Sequence, residues 1–419
     1  MMTEAECGDL AIYVHLPYCA RKCHYCDFNS RPGATAERAR YLEALKTEID
    51  RRAETLGGSP VRTVFFGGGT PTVYEGEELA EVLSVVRTRS SVRQTSPPPA
   101  SRLRSGEGGR RSTTSPSSFV RRTGFQPVSR SVEITCEANP ETVSVTKLQA
   151  MREAGFNRIS IGAQSFDERE LEMLGRGHSA EQTEDAVRAA REAGFEHVSL
   201  DLIYALPGQT VEGWRCTLLR ALALEPEHLS AYGLELAEGT PLHSRYEAGE
   251  IEPPDDAEHL AMRELTQEIC AQAGLERYEI SNYALPGREC AHNITYWRNE
   301  PYLGLGAGAW SYLDGVRSAN LREPVAYCEA IEAGESPQAY AERLEPDDAL
   351  AEALMMGLRM TEGLPLEALE RAFGEERVSA LLERAEPLAE MGLVALRDGR
   401  IRLTGEGEPL HGEVCVRLV

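Results

Sequence analysis

Cys19, Cys23 and Cys26 lie in YVHLPYCARKCHYCDFNS, directly after a short apolar run that reads as a first strand. Three thiolates spaced four and then three residues apart can converge on one soft metal centre. Four cysteines are the usual protein set for an iron–sulfur cluster, so three leave one iron open to a small molecule. The same spacing suits one face of a helix. Against that, Pro17 precedes the run, and Arg21, Lys22, His24 and Tyr25 interrupt it, leaving no apolar face to bury. A zinc site with His24 as fourth ligand is the other alternative. Structural zinc loops more often pair two distant C-x-x-C hooks, whereas Cys7, Cys136, Cys216, Cys270, Cys290, Cys328 and Cys415 are scattered.

These ligands need a scaffold, and the pattern supplies one. AIYVHL, VRTVFF, VEITCEA, NRISIGA and HVSLDLIY read as strands. Helical stretches run over 36–56, 77–87, 143–154, 180–193 and 211–224. Such alternation implies parallel strands with crossover helices. The nearly continuous apolar runs VRTVFF and SLDLIYAL suit strands buried on both faces. The expected fold class is α/β: a partial TIM-like barrel, with a doubly wound open sheet as the alternative. In either, ligands sit at strand C-terminal ends. The chemistry-bearing segments do follow strands: the cysteine loop, FFGGGTP (Phe65 to Pro71) and LPGQ. Glycines there allow close backbone approach, and free N–H groups would make a nest for a carboxylate. Glu137, Gln164 and Asp201 stand in or after strands, and Arg176 in LGRGH. A carboxylate inside an apolar strand needs a partner, so Asp201 is either a ligand contact or half of a salt bridge.

The barrel is expected over 1–320 and a smaller C-terminal domain over 340–419. In the latter, helices precede a hairpin with Asp398-Gly399 at its turn, a winged-helix-like order. Between Arg87 and Arg130 stand ten arginines and one acid, among Pro, Ser and Gly. Such a stretch buries little, so a disordered insertion is expected over about 89–130. It would be a tolerated loop, or a contact for an acidic partner or anionic lipid. The chain of 419 residues carries a net charge of −23, which argues against nucleic acid as a partner. No run is apolar enough to span a bilayer and the acidic N-terminus lacks a secretory signal, so a cytoplasmic location is expected. Charge alone leaves peripheral membrane contact open.

The C-x₃-C-x₂-C spacing after a first strand resembles the signature of the radical S-adenosylmethionine (SAM) superfamily. YVHLPYC, FFGGGTP, EITCEANP, SIGAQSF, LGRGH and DLIYALPGQT, in that order, resemble its HemN/HemW group of coproporphyrinogen oxidase-like proteins. The resemblance covers nearly the whole chain except the basic insertion. It implies a partial (β/α)6 barrel with the group's accessory domain, a 4Fe-4S cluster on Cys19, Cys23 and Cys26, and SAM at the open iron. It further implies that Gly69 and Thr70 contact SAM and that Tyr13, Glu137, Gln164, Arg176 and Asp201 line its site. The oxidase members resemble C-x₃-C-x₂-C-x-C, but Phe28 occupies that last position here, as in the HemW pattern. AHNITYWRN resembles the H-N-x-x-Y-W motif of HemW-type haem chaperones, which implies haem contact by His292, Tyr296 and Trp297. An imidazole can ligate haem iron and aromatic rings can cover a porphyrin face. The expected function is therefore haem binding and delivery to haem proteins, with membrane-associated respiratory enzymes as implied recipients. Oxygen-independent coproporphyrinogen III oxidase is the alternative.

Overall fold

The computed structural model describes residues 10–57, 60–90 and 132–419. Six parallel strands lie side by side: β1 (Leu10–Leu16), β2 (Val61–Gly68), β3 (Glu133–Ala138), β4 (Arg158–Gln164), β5 (Val198–Tyr204) and β6 (His228–Gly233). Crossover helices return the chain: α1 (Thr35–Arg51), α2 (Gly76–Arg89), α3 (Val145–Ala154), α4 (Ala180–Glu192) and α5 (Val211–Leu222), with α6 (Asp256–Gln272) after β6. The order is serial, with no switch point. That excludes the doubly wound alternative and gives a partial (β/α)6 barrel. All but the first residues of the expected basic insertion lie outside the described residues.

The sheet stays open and extends at both ends. Beyond β6 it adds antiparallel β7 (Asn282–Ala284). On the other side β8 (Tyr302–Leu305) runs parallel to β1 and leads into antiparallel β9 (Trp310–Leu313), β10 (Val316–Asn320) and β11 (Gln338–Arg343). This large body therefore continues past residue 320. The βα rhythm fades there because pairing turns antiparallel, not because the sheet ends. α7 (Ala291–Trp297) precedes β8, and α8 (Pro324–Glu332) packs on α1.

The strands are not apolar on both faces as the runs suggest. One phase, including Ile12, Val14, Val64, Phe66, Ile134, Ile159, Ile161, Leu200 and Leu202, is buried in the main apolar core. The other phase turns polar side chains into the barrel lumen. Because strand side chains alternate with period two, one sequence serves both a greasy exterior seam and a wet interior.

The C-terminal elements are α9 (Pro346–Gly357), α10 (Leu366–Phe373), α11 (Glu375–Glu390), the hairpin β12 (Val394–Arg397) and β13 (Arg400–Leu403), and α12 (His411–Leu418). They share a second core reaching from Leu350 to Leu418. Asp398 and Gly399 both take positive φ, 55° and 68°, as a two-residue type I′ hairpin turn requires.

Candidate functional site

The cysteine loop leaves β1 at Pro17 and is closed by parallel pairing of Tyr18–Cys19 with Arg31–Pro32. Its other straps reach far along the chain. The His24 amide donates to Leu174 O at 2.9 Å, and its Nδ1 lies 3.0 Å from Met173 O. Asn29 Nδ2 donates to Ala307 O and Arg322 O. His24 is thus a strap whose ring packs on Gly175 and is not among the residues lining the cysteines' cavity, which weakens the zinc alternative. Cys19, Cys23 and Cys26 are free and line one cavity of about 420 Å³. Among the described residues no three His, Cys, Asp or Glu side chains are drawn onto one point as a closed metal-ligand set. The donor chemistry nonetheless suits an anionic iron–sulfur centre. Three soft sulfurs face one cavity, Arg176 Nη1 lies 3.5 Å from Cys23 Sγ, and Lys22 Nζ lies 3.7 Å from Cys26 Sγ. Burial raises the Cys19 thiol pKa, a cost that a metal or nearby cation would offset.

The glycine loop differs from the expected nest. Gly69 N–H donates to Leu16 O at 2.8 Å and Thr70 N–H to Tyr18 O at 2.9 Å. Gly68 N–H donates to Glu137 Oε2 at 3.1 Å. These amides are spent on bracing the cysteine loop and Glu137, so they make no free carboxylate nest. The need for glycine is steric. A Cβ on Gly69 would stand 2.7 Å from Tyr18 O and 2.8 Å from Leu16 O. Thr70 is buried, lines the cavity, and accepts from Asn139 Nδ2 at 3.2 Å.

Glu137, Gln164, Arg176 and Asp201 all line this cavity. Burial first, and then the neighbouring Asp201 charge, push the Glu137 carboxyl up to about 8. Burial raises Asp201 too. Its direct partner is a hydroxyl, not a guanidinium: Ser160 Oγ reaches its two oxygens at 3.0 and 2.9 Å. Arg158 and Arg176 act on it at longer range. Two buried carboxyls that repel one another favour a cationic ligand. Gln164 ends β4 at a register shift, with φ of 64°, a strained setting for a non-glycine residue of the kind found at ligand sites. Arg176 Nη2 donates to Asn139 Oδ1 and Gly162 O, each at 2.7 Å, and its buried Nε has no partner. The loop carrying it enters α4 through a capping box, Ser179 with Gln182.

Tyr13, His292, Tyr296 and Trp297 are not among the lining residues, although Asn293 of the H-N-x-x-Y-W segment is. Tyr13 sits on β1, bonded to His15 Nδ1 at 3.1 Å, with its ring against Phe65. Phe65 lines the cavity and stacks on His292, centroids 4.9 Å apart. His292 is 1% exposed. Its Nδ1 is 2.8 Å from Thr63 Oγ1 and its Nε2 is 2.9 Å from Tyr296 OH. Burial lowers its pKa to about 3, so the ring is neutral. Glu133 receives the amides of Ala291 and His292 at the start of α7. Trp297 lies under the Arg359 guanidinium. The motif thus closes the end of the barrel where β2 and β3 begin, and its Asn293, with Cys290 just before it, lines the same cavity as the three cysteines.

Several lining residues were not among the expected site residues: Thr135 and Asn139, although they lie in EITCEANP, Ser160, although it opens SIGAQSF, and Arg158, Ser199, His228, Ser230 and Asn293. The signal was period two. Arg158, Ser160, Gly162 and Gln164 alternate with Ile159, Ile161 and Ala163, so one strand face is polar throughout.

Residues 13–219 match the radical SAM superfamily and residues 344–410 the HemN C-terminal domain. The chain is 32% identical over 402 residues to the "Heme chaperone HemW" of Bacillus subtilis, covering 96% of this chain and 97% of that protein. It is 34% identical over 411 residues to the protein of the same name from Mycobacterium tuberculosis H37Rv, covering 97% and 94%. In fold it is similar to coproporphyrinogen III oxidase (HemN) from Escherichia coli, a radical SAM enzyme, with a TM-score of 0.77 over 98% of this chain and 90% of that one. At 24% identity that likeness speaks for the fold alone.

Proposed function

The chain belongs to the HemW family within the radical SAM superfamily, and from that premise we propose that it is a haem chaperone, binding a 4Fe-4S cluster, SAM and haem and passing haem to haem proteins. The observation that carries the reading is one cavity shared by Cys19, Cys23, Cys26, Thr70, Glu137, Gln164, Arg176 and Asp201. The cysteines would hold the cluster. Glu137 and Asp201 suit the cationic end of SAM, and Arg176 links the two subsites through Cys23 and Asn139. Gly69 contributes by letting the loop press against β1. When bound, a reduced cluster supplies the electron that cleaves a SAM C–S bond; these residues position the ligand and exclude water around it.

The haem carrier is favoured over the oxidase by Phe28. The further cysteine of the oxidase pattern is replaced there by an exposed phenyl ring. His292, Tyr296 and Trp297 enter this reading only with α7 displaced, because both imidazole nitrogens are already engaged. Respiratory haem proteins as recipients, a cytoplasmic location and peripheral membrane contact are part of the proposal. No described helix is long and apolar enough to cross a membrane.

The test is oxygen-free reconstitution followed by spectra with haem, SAM and coproporphyrinogen III in turn. Haem uptake without turnover of coproporphyrinogen supports the carrier. Turnover to a vinyl product supports the oxidase and overturns it. Titration of His292→Ala shows whether that imidazole matters: unchanged haem affinity removes it from the haem site.

A further inference from the structure

We propose that the strap of residues 358–363, between α9 and α10, latches α7 shut, so that the C-terminal domain gates haem ligation by His292; the inference rests on the haem-chaperone reading above. His292 is buried, and Thr63 and Tyr296 engage both ring nitrogens. An imidazole so placed can ligate haem iron only after α7 moves. Trp297 stands at the other end of the same helix, and the strap holds that end. The Arg359 guanidinium lies over the Trp297 ring, 4.5 Å from its centroid. Glu362 pairs with Arg298, which follows the helix, at 3.0 Å.

The strap is tied on both sides. Towards the barrel, Arg359 pairs with buried Glu279 at 3.1 Å, and the Thr361 amide donates to Tyr278 O at 3.1 Å. Towards its own domain, Arg400 of β13 donates to the Glu362 and Gly363 carbonyls, each at 2.7 Å. Gly363 takes φ of 66°, and a Cβ there would run into Ile401 O. The strap is thus pressed on the C-terminal hairpin and moves with it. The closed position also leaves a donor unmet. Trp297 Nε1 is buried without a hydrogen-bond partner among the described residues, which forfeits the bond that water would supply. Opening of α7 would return that N–H to solvent. The contacts that oppose opening, a cation over an indole and a half-exposed ion pair, are individually modest. A helix closed by such contacts is poised between two positions, and the docked domain selects the closed one.

The experiment follows haem uptake by the full chain through the Soret band, and deuterium exchange of the α7 amides before haem is added. Arg359→Lys keeps a charge opposite Glu279 but removes the planar group over Trp297. Glu362→Ala cuts the ion pair to Arg298. Both should speed exchange across residues 291–297. Arg359→Lys should bind haem about tenfold tighter, because apparent affinity rises with the open fraction, and adding His292→Ala should abolish that gain. Exchange as slow as wild type in both variants overturns the latch. So does wild-type haem affinity in both, or a gain that survives His292→Ala. Those results leave haem binding itself standing. No haem uptake by the wild type or by either variant defeats the chaperone reading, and the latch with it.

Discussion

At the scale of single residues, Glu137 and His292 are buried groups displaced in opposite directions. Glu137 rises from an ordinary 4.5 to about 8 through burial and the Asp201 charge. Between those values the folded chain keeps a proton that the unfolded chain releases, so stability falls as pH rises through this window. Glu137→Gln removes that penalty. Without ligands it should match wild type near pH 5 and gain in melting temperature toward about pH 9. A pH-independent difference would contradict this. His292 falls from 6.5 to about 3 by burial. Here the unfolded chain takes the proton first, so stability is lost as pH drops from 6.5 toward 3. His292→Gln should flatten that acid limb in thermal melts. The grouping of Cys19, Cys23 and Cys26 on one cavity was legible because they share one short loop. The surroundings of His292 were not, because Thr63 is 229 residues away and the motif says nothing of which side of α7 is buried.

At the scale of elements, the glycine loop and the cysteine loop are one interlocked unit. In Gly69→Ala the new methyl would meet the backbone of Leu16, Pro17 and Tyr18, none of which can rotate aside. Overpacking of this kind costs about 1–3 kcal/mol, and the displaced strand carries Cys19. Urea unfolding should show that loss, and iron retained after reconstitution should fall with it. Gly208→Ala is the control. Gly208 has φ of 75° but no atom within 4 Å of the added carbon, so only conformational strain of about 1–2 kcal/mol is expected, with iron retention unchanged. The strands and helices themselves were legible from periodicity. Their inward faces were not, because VRTVFF and SLDLIYAL read as apolar when the alternation of Thr63, Ser199 and Asp201 is averaged away.

At the scale of the whole molecule, the C-terminal domain is fastened to the barrel by buried charge. Glu408 binds Arg263 and Arg277, with side chains 10%, 9% and 18% exposed. Arg359 binds Glu279, which is fully buried, and covers Trp297 of α7. Removing one partner of such a cluster leaves guanidiniums buried without a counter-charge, at a cost of about 3–5 kcal/mol. Glu408→Ala should therefore unfold earlier in calorimetry, with the C-terminal domain melting as a separate first transition. A single unshifted transition would show the clamp to be idle. Sequence reading could separate a barrel from a smaller helical module by composition and rhythm. It could not pair Glu408 with Arg277, which stands 131 positions earlier, nor see that β11 still belongs to the barrel sheet.

The most direct test of the account is iron, sulfide and electron paramagnetic resonance on chain reconstituted without oxygen. About four irons and four sulfides per chain are expected, with a reduced-state signal that shifts when SAM is added and disappears in Cys19→Ser, Cys23→Ser or Cys26→Ser. Colourless protein holding zinc, or a signal indifferent to SAM, would contradict it.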